Sequence, residues 1–289
     1  MSHSSRIVYL NGQFLPVEQA TVSVMDRGFL FGDGVYEVIP IFNSRFFLPK
    51  RHLQRLKRSL TAVEIDFAVD EDQLLALFEE LLQRNTEQGD TQVLYVQITR
   101  GAALNRDHLF PEGVKPTLFA QCTAVKPLTE AEMRQGSHAI TVQDTRWAWC
   151  YIKAITLLPN VLSAQHARQV GAREAILLRD GVALEGCSSN LFIVKDGVII
   201  TPPANYQILG GVTRDIVLEL ARSNQMPVKE ASVTENMLRH ADEVWMTGSV
   251  KEVLPITQLD DKPVGTGKVG AVWEKMQRLY QDAKKNLIQ

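Results

Sequence analysis

The sequence predicts an α/β protein of two domains. Three observations carry that prediction. Short β-type runs bounded by Asn-Gly or Asp-Gly alternate with stretches whose apolar residues recur at helical spacing. The chain has 289 residues, more than most single cores accommodate. A Pro-containing polar step, Lys126-Pro127-Leu128-Thr129, separates two apolar strands. The domains are therefore expected at 1–126 and 127–289.

Composition narrows the function classes. Apolar residues make up 45% and charged residues 22% of the chain, and the formal net charge is −2, so no broad basic surface points to nucleic acid. Apolar runs are short and fall well below the roughly 18–20 residues of a membrane span. The stretch Met1–Arg6 leads into a short strand without a signal-peptide core. Three widely spaced cysteines, Cys122, Cys150 and Cys187, form neither a disulfide framework nor a zinc site. The expectation is a cytoplasmic globular protein with no metal and no membrane partner.

In order, residues 7–15 read as a hairpin about Asn11-Gly12. Three glycines between Gly28 and Gly34 mark a loop that enters a strand at Val35, with Tyr36 and Val38 on one face and Glu37 on the other. That loop is either a structural turn or a phosphate cradle, though it lacks P-loop spacing. A helix over 49–65 places Leu53, Leu56, Leu60 and Val63 on one face and five basic residues, including Arg55, on the other. A second helix starts at Asp70 or Glu71, and strands follow at 93–99 and 117–123. Between those strands Arg100, Arg106 and His108 share a glycine-started loop, suited either to gripping an anion or to facing solvent.

The second half opens with a strand over 139–143 and then Trp149-Cys150-Tyr151-Ile152-Lys153-Ala154-Ile155, read as a strand that ends before Pro159. Its lysine sits among large apolar residues with no acid nearby in sequence. Such a lysine either snorkels its ammonium to water or is held in an apolar pocket, where the amine becomes a nucleophile. A helix over 160–170 and hairpins about Asp180-Gly181 and Asp196-Gly197 follow. Between the hairpins, Glu185 precedes a run of small polar residues, Gly186-Cys187-Ser188-Ser189-Asn190. Leu209-Gly210-Gly211-Val212-Thr213 then opens a helix to about Ser223, whose start is a natural anion site or a simple turn. A strand over 243–247 ends at Gly248-Ser249, and an amphipathic helix over 268–287 closes the chain.

Taken together, an apolar-flanked lysine, a carboxylate among hydroxyls and a glycine-threonine helix start match three needs of pyridoxal phosphate. These are an amine for the aldehyde, an acid for the pyridine nitrogen and donors for the phosphate. Six ordered motifs strengthen the match: Asp26-Arg27-Gly28 through Glu37, His52-Leu53-Gln54-Arg55-Leu56, Lys153 with Leu157 to Asn160, Glu185-Gly186 with Ser189-Asn190, Gly211 to Arg214, and Glu252-Val253 with Pro255. In these the chain resembles the fold-type IV pyridoxal-phosphate enzymes, the class IV aminotransferases, along essentially its whole length.

That resemblance implies a two-domain fold with the cofactor at the domain interface, in a homodimer. It makes Lys153 the Schiff-base lysine and the acid–base at Cα, and Glu185 the partner of the pyridine nitrogen. Arg55, Ser188, Val212, Thr213 and Ser249 would hold the phosphate side, and Leu209 would pack on the ring. The Tyr36-Glu37-Val38 and Arg106-to-Pro111 segments are similar to those of D-amino-acid aminotransferases, with Tyr36, Arg106 and His108 on the α-carboxylate. The implied reaction is ping-pong transfer between a D-amino acid, D-alanine or D-glutamate, and a 2-oxo acid. A branched-chain L-aminotransferase is the alternative, followed by an aminodeoxychorismate lyase and a silent sugar- or anion-binding protein. Two departures stand out: an extra residue between Gly101 and Arg106, and Cys187 and Gly248 at positions often filled by serine.

Overall fold

A computed structural model describes residues 6–287, apart from the side chains of Gln88 and Leu287. Residues 1–5, part of the expected lead-in to the first strand, lie outside the described residues. The chain divides into two compact units. The first comprises residues up to Lys126 together with Ile152–Thr156, and the second Pro127–Tyr151 with Leu157–Asn286.

In the first unit, β1 (Ile7–Leu10), β2 (Gln13–Pro16), β3 (Gly34–Phe42), β4 (Arg45–Phe46), β5 (Thr91–Thr99) and β6 (Thr117–Ala124) form an antiparallel sheet ordered β2-β1-β6-β5-β3-β4. Asn11 and Gly12 close the first hairpin with φ of 47° and 96°, the positive values a two-residue turn demands. Along β5 the side chains of Leu94, Val96 and Ile98 alternate inward and are fully buried. They meet Leu53, Leu56 and Leu60 of α2 (Pro49–Ala62) and Leu74, Phe78 and Leu81 of α3 (Glu71–Gln83, capped by Asp70) in one core.

Two expectations change here. The glycine loop contains a helix, α1 (Arg27–Phe31), capped by Asp26 accepting from the Gly28 N–H and closed by Gly32 in the left-handed region. Five residues are too few for an apolar period to show. The segment around Lys153 is not a strand either. Residues 152–156 belong to the first unit, where an isolated Ala154–Val35 bridge docks them beside β3. The Tyr36 N–H donates to the Lys153 carbonyl at 3.0 Å and the Ile155 N–H to the Gly34 carbonyl at 3.1 Å. The segment thus sits along the part of β3 that the two-residue β4 does not cover.

The second unit is built on a larger sheet. Its strands are β7 (Ser137–Gln143), β8 (Glu174–Arg179), β9 (Val182–Gly186), β10 (Asn190–Lys195), β11 (Val198–Thr201), β12 (Val228–Glu230), β13 (Val233–Thr234), β14 (Glu243–Gly248), β15 (Glu252–Leu259) and β16 (Lys262–Pro263). The order is β12-β11-β10-β14-β15-β7-β8-β9-β13, with β16 on β15. Asp180-Gly181 and Asp196-Gly197 close the two expected hairpins, all four at positive φ. Helices α4 (Glu130–Gln135), α5 (Leu158–Gln169), α6 (Val212–Ser223), α7 (Glu235–Arg239) and α8 (Ala271–Leu287) complete the unit. The polar step at 126–129 ends on Thr129, which caps α4 in a reciprocal box with Glu132. Strand β15 escapes a sequence reading because Pro255 interrupts it. Pairing with β7 begins only at Ile256, so the proline faces the sheet on one side alone. No described helix is long and apolar enough to cross a membrane.

Candidate active site

Lys153 is half-buried between Ile152 and Ala154, both buried in the first unit's core. Its backbone N–H donates to the Ser59 hydroxyl of α2, and its ammonium lies 4.1 Å from the Tyr36 ring centroid. A cation over an aromatic face is held there electrostatically, so the amine is tethered rather than released to water. On the opposite face of β3, Glu37 is fully buried. Its carboxylate accepts from Arg55 through two nitrogens, at 2.7 and 2.8 Å, and lies 2.9 Å from His52 Nδ1. A carboxylate only accepts, so His52 carries its proton on Nδ1. Burial alone pushes the Glu37 carboxyl up, but the Arg55 charge and hydrogen bonds, joined by His52, hold it far below the usual carboxylate range. Burial likewise pushes His52 down, against the pull of Glu37 and helped by the charges of Arg55 and Lys153. Arg55 is thereby oriented by an inward side chain of the strand that carries Tyr36 outward.

Arg106 and His108 lie on the exposed loop after β5. Both gather on one ring: the Arg106 guanidinium stands 4.7 Å from the Phe31 centroid, and the His108 ring 5.4 Å from it. Among the described residues no hydrogen bond or ring contact joins either of them to Tyr36.

In the second unit Glu185 lies near the end of β9 and is 4% exposed. It accepts from Arg146 at 2.5 Å, from Asn190 at 3.1 Å and from the Leu209 N–H at 3.2 Å. Arg146 in turn is gripped by Asp144, which also pairs with Arg179. Burial pushes the Glu185 carboxyl up to about 7, against the lowering effect of Arg146 and the Leu209 amide. A buried acid poised near neutrality, with one flank facing a protonated ring nitrogen, would regain its full charge. Asn190 also donates to the Leu209 carbonyl at 2.7 Å. Gly211 permits this, because a Cβ there would lie 2.0 Å from the Asn190 Oδ1.

Helix α6 starts at Val212 with no side-chain cap, leaving its first amides to face an anion. Ser249 follows β14 and is half-buried, and Leu209 is half-buried two residues before the helix N-cap. Ser188 is exposed, its hydroxyl 3.4 Å from Lys251 Nζ, and Lys251 pairs with the buried Glu174. Glu174 also accepts from the Ser189 hydroxyl and the Cys187 N–H, so it braces the turn that contains Cys187. The Thr247 hydroxyl, paired in register with Asn190, is buried without a partner among the described residues. An uncapped helix start and an orphan hydroxyl offer donors to a phosphate, and a buried carboxyl offers an acceptor to a pyridine N–H, a set that fits a phosphorylated pyridine. Sequence reasoning missed Glu37, Arg146, Asp144 and Glu174. Only Glu37 carried a signal, its inward place on a strand of apolar neighbours.

Comparison with known proteins follows the same line. A family model described as amino-transferase class IV matches residues 34–259. The D-alanine aminotransferase of Staphylococcus epidermidis is 40% identical over 275 residues, covering 95% of this chain and 96% of the relative. That of Bacillus licheniformis is 39% identical over 277 residues, with 96% of each covered. Among solved structures, the Escherichia coli branched-chain amino acid aminotransferase superimposes with a TM-score of 0.88 at 26% identity, covering 99% of this chain and 97% of that one. The branched-chain aminotransferase of the archaeon Thermoproteus uzoniensis, determined with norvaline, gives 0.85 at 26% identity, covering 97% and 95%. The chain belongs to the class IV aminotransferases, pyridoxal-phosphate-dependent enzymes of the fold-type IV architecture.

Proposed function

We propose that this enzyme transfers the amino group of a D-amino acid, D-alanine or D-glutamate, to a 2-oxo acid in a ping-pong cycle. The observation that carries the reading is the Lys153 ammonium over the Tyr36 ring. It puts the one amine assigned to Cα chemistry against a side chain assigned to the substrate carboxylate. Lys153 would hold the cofactor, with Glu185 at the ring nitrogen, Leu209 on the ring, and Arg55, Ser188, Val212, Thr213 and Ser249 at the phosphate. Bound pyridoxal phosphate supplies an electron sink for the pair left at Cα when its proton departs. In its neutral form the Lys153 amine would take that proton, and the ammonium so formed would rest on the Tyr36 ring face before returning it. Tyr36, Arg106 and His108 bind the α-carboxylate, with arginine supplying a fork that matches both oxygens.

A branched-chain L-aminotransferase is the second reading, favoured by the structural neighbours. The D-alanine aminotransferases support the first more strongly, at 40% against 26% identity. A panel of D- and L-amino acids with pyruvate and 2-oxoglutarate decides: turnover of D-alanine is expected, and turnover of L-leucine without it would overturn the reading.

The working form is a homodimer. The second unit leaves the large apolar side chains of Trp147, Trp149, Leu158, Val161 and Leu162 exposed, which a partner chain could cover. Sedimentation should give twice the 32.4 kDa chain mass. The cysteines Cys122, Cys150 and Cys187 are all free, which suits a reducing compartment and operation in the cytoplasm. Residues 1–126 and 127–289 serve as the two domains, with Lys153 carried back onto the first.

A further inference from the structure

Arg106 and His108 belong to a loop without regular structure and are themselves exposed. Recognition of a carboxylate by a guanidinium needs placement to well within an ångström, and a free loop would lose most of the binding energy in ordering itself. Something must fix the loop. Upstream, it is tied to the segment before α1: the Arg27 N–H donates to the Gly101 carbonyl at 2.9 Å, Asp26 bridges Ala102, and the Ala103 N–H reaches the Met25 carbonyl. Downstream, a single guanidinium holds three successive carbonyls. Arg27 donates to those of Asp107 at 2.6 Å, His108 at 3.4 Å and Leu109 at 3.3 Å. Arg27 is only 4% exposed, and Asp33 pins it at 2.8 Å while accepting from Arg100 as well. Arg100 also covers the Phe110 ring at 3.6 Å, which secures the far end of the loop.

Only Leu104, Asn105 and Arg106 lie between these anchors, and Leu104 points freely outward at 96% exposure. Within that interval the Arg106 guanidinium rests on the Phe31 ring, which it shares with Arg27 at 4.7 and 4.8 Å and with the His108 ring.

We propose that Arg27 and Phe31 are positioning residues that set Arg106 and His108 for substrate carboxylate recognition, Arg27 by clamping three loop carbonyls and Phe31 by offering the ring on which both side chains rest. This rests on the assignment of Arg106 to the substrate carboxylate. Phosphate or cofactor binding plays no part in it, so the clamp should govern KM for the amino donor and leave kcat and cofactor affinity nearly untouched.

The test is a double-mutant cycle on the holoenzyme with D-alanine and 2-oxoglutarate, measuring KM, kcat and cofactor dissociation constant. Arg27→Lys keeps the charge but replaces the planar fork by a point donor that cannot serve three carbonyls and Asp33 together. It should raise KM for D-alanine about tenfold with kcat within about twofold. Phe31→Leu, which leaves the carbonyl clamp intact, should raise KM about fivefold. Arg106→Ala should raise it about 100-fold, and adding Arg27→Lys or Phe31→Leu to Arg106→Ala should raise it by clearly less than either does alone, since only His108 is then left to be placed. Phe31→Tyr, which keeps the ring, should restore the native KM. If Arg106→Ala raises KM while Arg27→Lys and Phe31→Leu do not, the clamp is refuted and the carboxylate assignment stands. Additive effects in the double variants would refute it too. If Arg106→Ala leaves KM unchanged, the carboxylate assignment fails and the proposal with it. Should Arg27→Lys fail to fold, the Phe31 cycle alone decides by the same criteria.

Discussion

Replacing Glu37 by glutamine tests a fully buried charge. Glu37 is fully buried, His52 is 1% exposed, and Arg55 is 5% exposed. The substitution keeps shape and size but removes the negative charge that both nitrogens of Arg55 face at 2.7 and 2.8 Å. Arg55 remains charged at any accessible pH. The cost is that of stranding one member of a buried pair, ~3–5 kcal/mol, or about 10 °C in Tm. The pH dependence carries its own sign. Because the Glu37 carboxyl is held far below its ordinary value in the folded chain, its stabilisation is complete above the unfolded carboxylate range and drains away as pH falls below it. His52 adds in the same direction, since burial keeps it neutral and acid must charge it. Urea denaturation of the cofactor-free wild type and Glu37→Gln at pH 7 should show a gap of that size. A gap under about 1 kcal/mol would refute the buried-pair argument. Glu37→Leu combined with Arg55→Met should recover much of the loss, because two well-packed apolar groups carry no desolvation cost.

Other perturbations follow from the same geometry. Lys153→Ala should abolish transamination and leave no cofactor attached to the chain after borohydride reduction, read by intact mass. Persistent attachment would move the reactive amine elsewhere. Glu185, raised by burial to about 7, works against folding as pH climbs through its unfolded value toward 7. Cofactor-free Glu185→Gln should therefore lose ~2 kcal/mol less stability than wild type between about pH 5 and pH 8. Equal losses in the two proteins would show that Arg146 already keeps the acid fully charged. Gly101→Ala should destabilise by ~2–4 kcal/mol in thermal unfolding, because φ is 96° and the added Cβ would sit 2.0 Å from the Lys115 carbonyl oxygen.

How much of this was legible depended on whether a contact is local. Turns written in Asn-Gly and Asp-Gly, and cores written at helical or alternating spacing, come from neighbours a few residues apart, so hairpins and long helices read correctly. The reading of Lys153 as apolar-flanked also anticipated the burial of Ile152 and Ala154. It could not supply the partner, since Tyr36 lies on a strand more than a hundred positions earlier. The same distance hid Arg27, whose side chain spans 80 positions to reach Asp107, and Arg146, which reaches 39 to Glu185.

The register of β3 shows why local legibility still took the site so far. Tyr36 and Glu37 are adjacent, so a strand must send them to opposite faces. One face receives the Lys153 ammonium, and the other grips Arg55 and His52. A slip of one residue would bury the tyrosine against Arg55 and His52 and expose the carboxylate to the lysine, exchanging a cation–π contact for an ion pair that quenches the amine. Full pairing with β5 from Gly34 to Phe42 prevents that slip, and the docked 152–156 segment locks the other edge. The nine-residue strand thus sets both faces at once: the alternation that buries Val35, Ile39 and Ile41 also puts the Glu37 carboxylate on the face away from the Lys153 ammonium.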